Sequence, residues 1–274
     1  MSVEQAPAGG ASGKRAVDIR AVEKTYPNGT HALQPVDLAV GEGELITLLG
    51  PSGCGKSTLL KMVAGLLGPS AGNIALWGKP VAQVEDSGHR LSFVFQEATL
   101  MPWARVQANV RLPLDLAGVP RDEADARVSE VLKMVGLAKF AQALPRELSG
   151  GMQMRVSIAR GLVTRPTLLL MDEPFGALDE ITRHRLDGEL LELWQGNKLT
   201  VIFVTHSIYE AVYLSTRVVV MATRPGRIVD ELRIDEPYPR NAEFRVSTRF
   251  SDYARRLQDS LLRASADMPE QALS

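Results

Sequence analysis

Apolar residues recur along this chain in three different rhythms. AVDIRAVEKTY alternates apolar and polar positions, which predicts a half-buried strand, and YPNG at its end supplies turn residues. A further strand region closes in ELITLLG, after which STLLKMVAGLL carries helical spacing, so strand, loop and helix follow one another. NIALWG and RLSFVFQ read as two more strands. From about residue 100 to 164 the pattern turns helical: DEADARVSEVLKMVG sets Ala124, Val128, Leu132 and Val135 on one face, with Gly136 as a C-cap. TLLLMDEP, LTVIFVTH and RVVVMA then return as continuous apolar runs, as expected of strands covered on both faces of a parallel sheet. Finally, GRIVDELRI suggests a hairpin and FSDYARRLQDSLLRAS a terminal amphipathic helix.

These elements predict an α/β core with a helical lobe inserted at about 100–164. Residues 1–15, rich in Ala, Gly and Ser without periodicity, are expected to be a disordered tail. Residues 16–240 form the expected main domain and 241–274 a helical extension and tail. A length of 274 residues suits one large domain, or one domain with a lobe inserted in it. No internal repeat is evident.

Composition narrows the partners. A net charge of -1 and a pI near 6.5 leave no basic footprint for nucleic acid. Cys54 is the only cysteine, which excludes an intrachain disulfide and a multi-cysteine metal site and fits a reducing cytosol. The longest apolar runs fall far short of the roughly 18–20 residues that span a bilayer, and the polar N-terminus lacks the apolar centre of a signal peptide. The chain is therefore expected to reach a membrane only through a partner.

Three stretches carry chemistry. GPSGCGKST, from Gly50 to Thr58, has the phosphate-loop spacing and lies between an apolar strand and a helix, as that motif requires. Glycines let backbone N–H groups turn in around phosphates, Lys56 can reach the β and γ oxygens, and Ser57 offers a hydroxyl to Mg2+, with Thr58 beside it. Cys54 sits inside this loop, where a small residue fits between glycines. LLLMDEP ends a buried strand in two carboxylates, which points to work in the crevice where α/β sheets bind ligands. Asp172 is the candidate for holding Mg2+ or its water, and Glu173 for general base toward an attacking water. LSGGMQMRVSIAR has Ser149 in a cap position and two glycines, Gly150 and Gly151, at a second helix opening with no side chains in the way.

With the phosphate loop, LSGGMQ and LLLMDEP in this order, the chain resembles the ATP-binding subunits of ABC transporters over almost everything between its two tails. The resemblance implies a P-loop NTPase (RecA-like) core with an N-terminal antiparallel β region and an inserted helical subdomain. It further implies that Gly50, Pro51, Ser52, Gly53, Cys54, Gly55, Lys56, Ser57 and Thr58 bind the ATP phosphates. Tyr26 would stack on adenine, and Gln96 would touch Mg2+ or the attacking water. Asp179 in GALDE would be the D-loop aspartate, and His206 in IFVTHS the switch histidine that senses the γ-phosphate. Ser149, Gly150, Gly151 and Gln153 would reach the nucleotide of an opposing copy, so that two ATP molecules lie head to tail between two chains.

Within the family, FQEATLMPWARVQANV, THSIYEAVYL and RPGRIVDE are most similar to the ATPases of the nitrate, sulfonate and taurine importers. That group implies two permease subunits, a solute-binding protein and a place at the cytoplasmic face of the membrane. Trp103 has two open readings, a core aromatic of the lobe or part of a groove for a permease helix. Thr216 departs from the group, which usually has an acidic residue before the arginine. A soluble ABC-type ATPase acting on nucleic acid or ribosomes is the alternative, but those usually carry two cassettes or a long coiled-coil insertion, and this chain has neither. A nucleotide-gated module without turnover is a third reading, opposed by intact Lys56, Glu173 and His206.

Overall fold

The computed structural model describes residues 14–84, 88–176, 178–197, 199–223 and 225–266. The predicted disordered tail lies almost wholly outside them. Two sheets organise the chain. The first is antiparallel, in the order β2-β1-β4-β5, built from β1 (Arg15–Thr25), β2 (His31–Gly41), β4 (Ala71–Leu76) and β5 (Lys79–Pro80). The predicted alternation holds in β1, but its parity flips: Val17 and Ile19 are buried, and so is Val22. A bulge at Ala21, whose φ is 46°, inserts the extra residue, and its N–H is taken up by Asp37 Oδ1 at 2.9 Å. The YPNG turn closes on Gly29, at φ 82°, with Asn28 Oδ1 accepting from the Thr30 N–H at 3.1 Å.

The second sheet has the order β10-β9-β3-β8-β7-β6. Its strands are β3 (Leu45–Leu49), β6 (Leu91–Val94), β7 (Leu168–Asp172), β8 (Thr200–Thr205), β9 (Arg217–Ala222) and β10 (Arg227–Arg233). From β9 to β6 all pairs are parallel, and β10 turns back antiparallel on β9, so the predicted hairpin is formed by these two strands. Every residue of β3, β7 and β8 is buried, which is why they read as unbroken apolar runs. Alternate side chains feed two separate cores. Ile46, Leu48, Leu168, Leu170, Ile202 and Val204 join α1 (Lys56–Val63) and the antiparallel sheet on one face. Leu45, Leu49, Leu169, Met171, Val201 and Phe203 join the helical lobe on the other.

The lobe contains α2 (Val106–Leu116), α3 (Arg121–Met134) and α4 (Gly150–Leu162). Ala124, Val128 and Leu132 face the core as the spacing predicts, Val131 joins them, and Gly136 stands just past the helix at φ 68°. Asn109, fully buried, pins the entry to the lobe. Its Oδ1 accepts from the Met101 N–H at 2.7 Å, and its Nδ2 donates to Met101 O and Ala104 O. Helices α5 (Glu180–Asn197) and α6 (Ile208–Leu214) follow β7 and β8. The extension forms α7 (Ala242–Arg245) and α8 (Thr248–Ala266), and Phe244, Phe250 and Leu257 seat it in the same core as the lobe. Among the described residues no helix is long and apolar enough to cross a membrane.

Candidate functional site

Parallel strands deliver the phosphate loop, Asp172, Glu173 and His206 to one place because these lie at or just past the C-terminal ends of β3, β7 and β8. Loop 50–55 leaves β3 and turns into α1 through Gly53 and Gly55, at φ 79° and 88°. A Cβ on Gly50 would lie 2.5 Å from Met221 O and 2.7 Å from Cys54 Sγ, so the start of the loop tolerates no side chain. Helix α1 opens without a side-chain cap, leaving its first N–H groups to an anion. Lys56 is buried, and its Nζ donates to Gly50 O at 2.8 Å and Pro51 O at 3.0 Å. The ammonium thus draws the loop around itself while standing 3.7 Å from Glu173 Oε1.

Asp172, at the last position of β7, accepts from Ser57 Oγ at 2.6 Å. Burial pushes its carboxyl above the ordinary range, and the Ser57 hydrogen bond pulls against that. One hydroxyl and one carboxylate facing each other are hard oxygen donors that fit Mg2+, with phosphate and water oxygens completing the shell. Glu173 begins the loop after β7 with φ 46°, a conformation uncommon outside glycine, and its N–H donates to Val204 O at 3.0 Å. This backbone turn lifts the carboxylate off the sheet. Glu173 Oε2 is 3.0 Å from His206 Nδ1, so the ring is oriented by that oxygen and its Nε2 is left for another partner. Lys56, Ser57, Asp172, Glu173 and His206 thus form one cluster.

The other expected residues lie outside these contacts. The Tyr26 hydroxyl is 3.2 Å from Thr58 Oγ1, which puts the ring at the rim of the loop, with Lys24 Nζ 5.6 Å from its centroid. Gln96, two residues past β6, is exposed. Ser52 and Gly53 are exposed as well, whereas Cys54 is fully buried and burial raises its thiol pKa, which favours a packing role over a redox one. Asp179 caps α5, with Oδ1 accepting from the Thr182 N–H at 2.9 Å, and that bond holds its carboxyl below the usual range.

Ser149 caps α4, its Oγ accepting from the Met152 N–H at 3.3 Å. A Cβ at Gly150 would meet nothing within 4 Å, so this helix end faces open space, while one at Gly151 would press Leu178 Cδ2 at 3.0 Å. Gln153 turns inward instead, its Nε2 donating to Pro145 O at 3.1 Å and Leu148 O at 3.3 Å, so within this chain it braces the approach to α4. Trp103 is 78% exposed, which rules out the core-aromatic reading. Thr216 needs no acidic side chain: its Oγ1 and its N–H both donate to Leu45 O at 2.8 Å.

Two polar residues outside the motifs also belong to this end of the sheet. Glu210 on α6 is 4% exposed, accepts a short hydrogen bond from the Thr205 hydroxyl and lies 3.3 Å from Arg183 Nε. Its only trace in the sequence is an acid set inside the apolar helix IYEAVYL.

The sequence profile of the family described as "ABC transporter" matches residues 33–176. The taurine import ATP-binding protein of Rhizobium johnstonii is 49% identical, over 77% of this chain and 79% of its own. The aliphatic sulfonates import ATP-binding protein of Bacillus licheniformis is 43% identical, over 82% of this chain and 87% of its own. Among solved structures, a dimeric post-hydrolysis state of an ATP-binding cassette bound to ADP and Pi is similar at a TM-score of 0.73. It shares 33% identity over 81% of this chain and 100% of that one.

Proposed function

The chain belongs to the ABC transporter family as an ATP-hydrolysing subunit, and from that footing we propose that it powers uptake of a small anion or organic solute such as nitrate, sulfonate or taurine. The uptake route is a pair of permease subunits at the cytoplasmic face of the membrane, supplied by a solute-binding protein. The relatives named for taurine and sulfonate import support this reading over a soluble ATPase.

The observation that carries the ATPase chemistry is the convergence of Lys56, Glu173 and His206 beside the Ser57–Asp172 pair. ATP phosphates would replace the loop carbonyls as partners of Lys56, and adenine would lie against Tyr26. Mg2+ held by Ser57 and Asp172 would neutralise phosphate charge, with Gln96 as a further ligand. Glu173 would take a proton from the attacking water, an effect worth roughly 10²–10⁴ in rate for a well-placed base. His206, with Nδ1 fixed on Glu173, would donate from Nε2 to a γ-phosphate oxygen and so register its presence. The α4 end at Ser149, Gly150 and Gly151, with Gln153 bracing it, would complete the pocket of a second copy, where oriented donors and a helix dipole stabilise the transferred group. Asp179 would sit at the same junction. Trp103, on the exposed face of the lobe, is the proposed contact for a permease helix.

The test is steady-state phosphate release by the purified full-length chain against protein concentration and against ATP. A rate per chain that rises with concentration and depends cooperatively on ATP is expected. A rate per chain independent of concentration defeats the sandwich.

A further inference from the structure

Thr205 and Ser207 flank His206, and both are tied to Glu210. The Thr205 hydroxyl donates to Glu210 Oε2 and accepts from the Ser207 N–H at 3.0 Å, while Ser207 Oγ accepts from the Glu210 N–H at 3.4 Å. Glu210 is itself held from α5, where Arg183 Nε lies 3.3 Å from its Oε1. The same guanidinium reaches back along the chain: Arg183 Nη2 donates to Leu178 O at 3.0 Å, the carbonyl immediately before Asp179. One guanidinium therefore bridges the loop that carries Asp179 and the strand end that carries His206, by a hydrogen bond to Leu178 O on one side and an ion pair with Glu210 on the other. The Arg183 side chain is partly exposed, and a partly exposed ion pair gives little net stability, so its presence here calls for a reason other than holding the fold together.

We propose that Arg183 is a positioning residue which fixes the Asp179 loop to the His206 strand end, so that contact with the opposing copy and the response to the γ-phosphate move as one. The proposal rests on the head-to-tail reading above. It gives a physical route between the two nucleotide pockets: a shift of His206 on loss of phosphate displaces Thr205 and Glu210, Arg183 follows, and the segment ending in Asp179 moves at the junction with the second copy. Lysine cannot substitute, since a single ammonium on a flexible stem has no planar fork to hold a carboxylate and a carbonyl at fixed separation.

The experiment uses the full-length chain with Arg183→Ala, Arg183→Lys and Glu210→Gln, reading kcat, the Hill coefficient for ATP, the Kd of a fluorescent ATP analogue at protein concentrations too low for pairing, and Tm. Arg183→Ala and Glu210→Gln are expected to lower kcat roughly ten-fold and to bring the Hill coefficient from about 2 to about 1, within the usual span of couplings between sites. The Kd should stay within about two-fold. Arg183→Lys, which keeps the charge beside Glu210, should recover Tm without recovering the Hill coefficient. That split separates positioning from mere packing, and it carries the test by itself if Arg183→Ala does not fold. Unchanged cooperativity in Arg183→Ala or Glu210→Gln, or full recovery in Arg183→Lys, overturns the proposal while leaving the sandwich standing. A wild-type Hill coefficient of about 1 overturns the sandwich and this inference with it.

Discussion

Replacing Glu173 with glutamine isolates proton abstraction from every other duty of the site. The amide keeps the length of the side chain and can still hydrogen-bond His206 Nδ1 across the 3.0 Å gap, as donor or acceptor according to the ring tautomer. What disappears is a negative charge 3.7 Å from Lys56 Nζ. At an effective dielectric of about 20 that pair attracts by about 4 kcal/mol, much of it offset by the desolvation both groups bear. Lys56 stays in place without it, because Gly50 O and Pro51 O hold the ammonium at 2.8 and 3.0 Å. ATP should therefore bind as well as before or slightly tighter, since its phosphates no longer compete with a carboxylate for the lysine. Turnover should fall by the worth of the base, roughly 10²–10⁴, or about 3–5 kcal/mol of barrier. The assay pairs phosphate release at saturating MgATP with titration of a fluorescent ATP analogue. A kcat within ten-fold of wild type would refute the assignment of Glu173 as base, and a Kd weakened more than ten-fold would move its role to binding.

Gly150→Asp places a carboxylate at the open end of α4 with no steric conflict inside its own chain, whereas the neighbouring Gly151 has Leu178 at 3.0 Å from any Cβ. Cooperative hydrolysis should vanish while Tm and the ATP Kd of the unpaired chain hold, and cooperative turnover at the wild-type rate would count against a phosphate-facing helix end. Asp187 is fully buried on α5 beside Arg245, at 2.7 Å, and burial pushes its carboxyl up to about 7. The unfolded chain titrates this group near 3.9, so between about pH 4 and 7 the folded state holds the extra proton. Stability from this group is complete below that window and declines as pH rises through about 7. Urea midpoints should fall less between pH 5 and 8 in Asp187→Asn than in wild type, and equal slopes would contradict the shift.

Elements with a strong period were legible in the sequence, and so were residues whose chemistry demands fixed spacing. The runs TLLLMDEP and LTVIFVTH give β7 and β8 because strands covered on both faces have no polar side to alternate. The spacing from Gly50 to Ser57 gives the loop because phosphate binding requires those residue types in that order. The parity flip in β1 was hidden, since one extra residue at Ala21 with its N–H bonded to Asp37 depends on a contact sixteen positions away. Arg183, Glu210, Asp187 and Arg245 were hidden for the same reason. Their meaning lies in pairing between α5, α6 and α7, and no local pattern separates a paired arginine from the solvated ones. Trp103 needed the structure as well, because it lies in the turn before α2, where no periodicity says which side meets solvent.

On the proposed reading, the places of the two helix ends account for why one chain is not enough. Helix α1 sends Leu59, Leu60 and Met62 into the core shared with the antiparallel sheet, and α4 sends Met154, Val156 and Ile158 into the core of the opposite face. Both cores are fed by alternate residues of the same buried strands, Leu168 and Leu170 on one side against Leu169 and Met171 on the other. Bringing the α4 end over its own phosphate loop would require carrying it around the rim of the sheet, which would strip several buried side chains at about 1.5–3 kcal/mol each. A second copy turned head to tail meets no such cost: its α4 end, capped by its own serine and open at Gly150, arrives from outside. The fully packed lobe, with Asn109 pinning its entry by three hydrogen bonds to backbone at Met101 and Ala104, then behaves as a rigid arm. On the proposed reading, a shift of the α4 end on phosphate loss would carry the exposed Trp103 face with it and so link hydrolysis to a membrane partner.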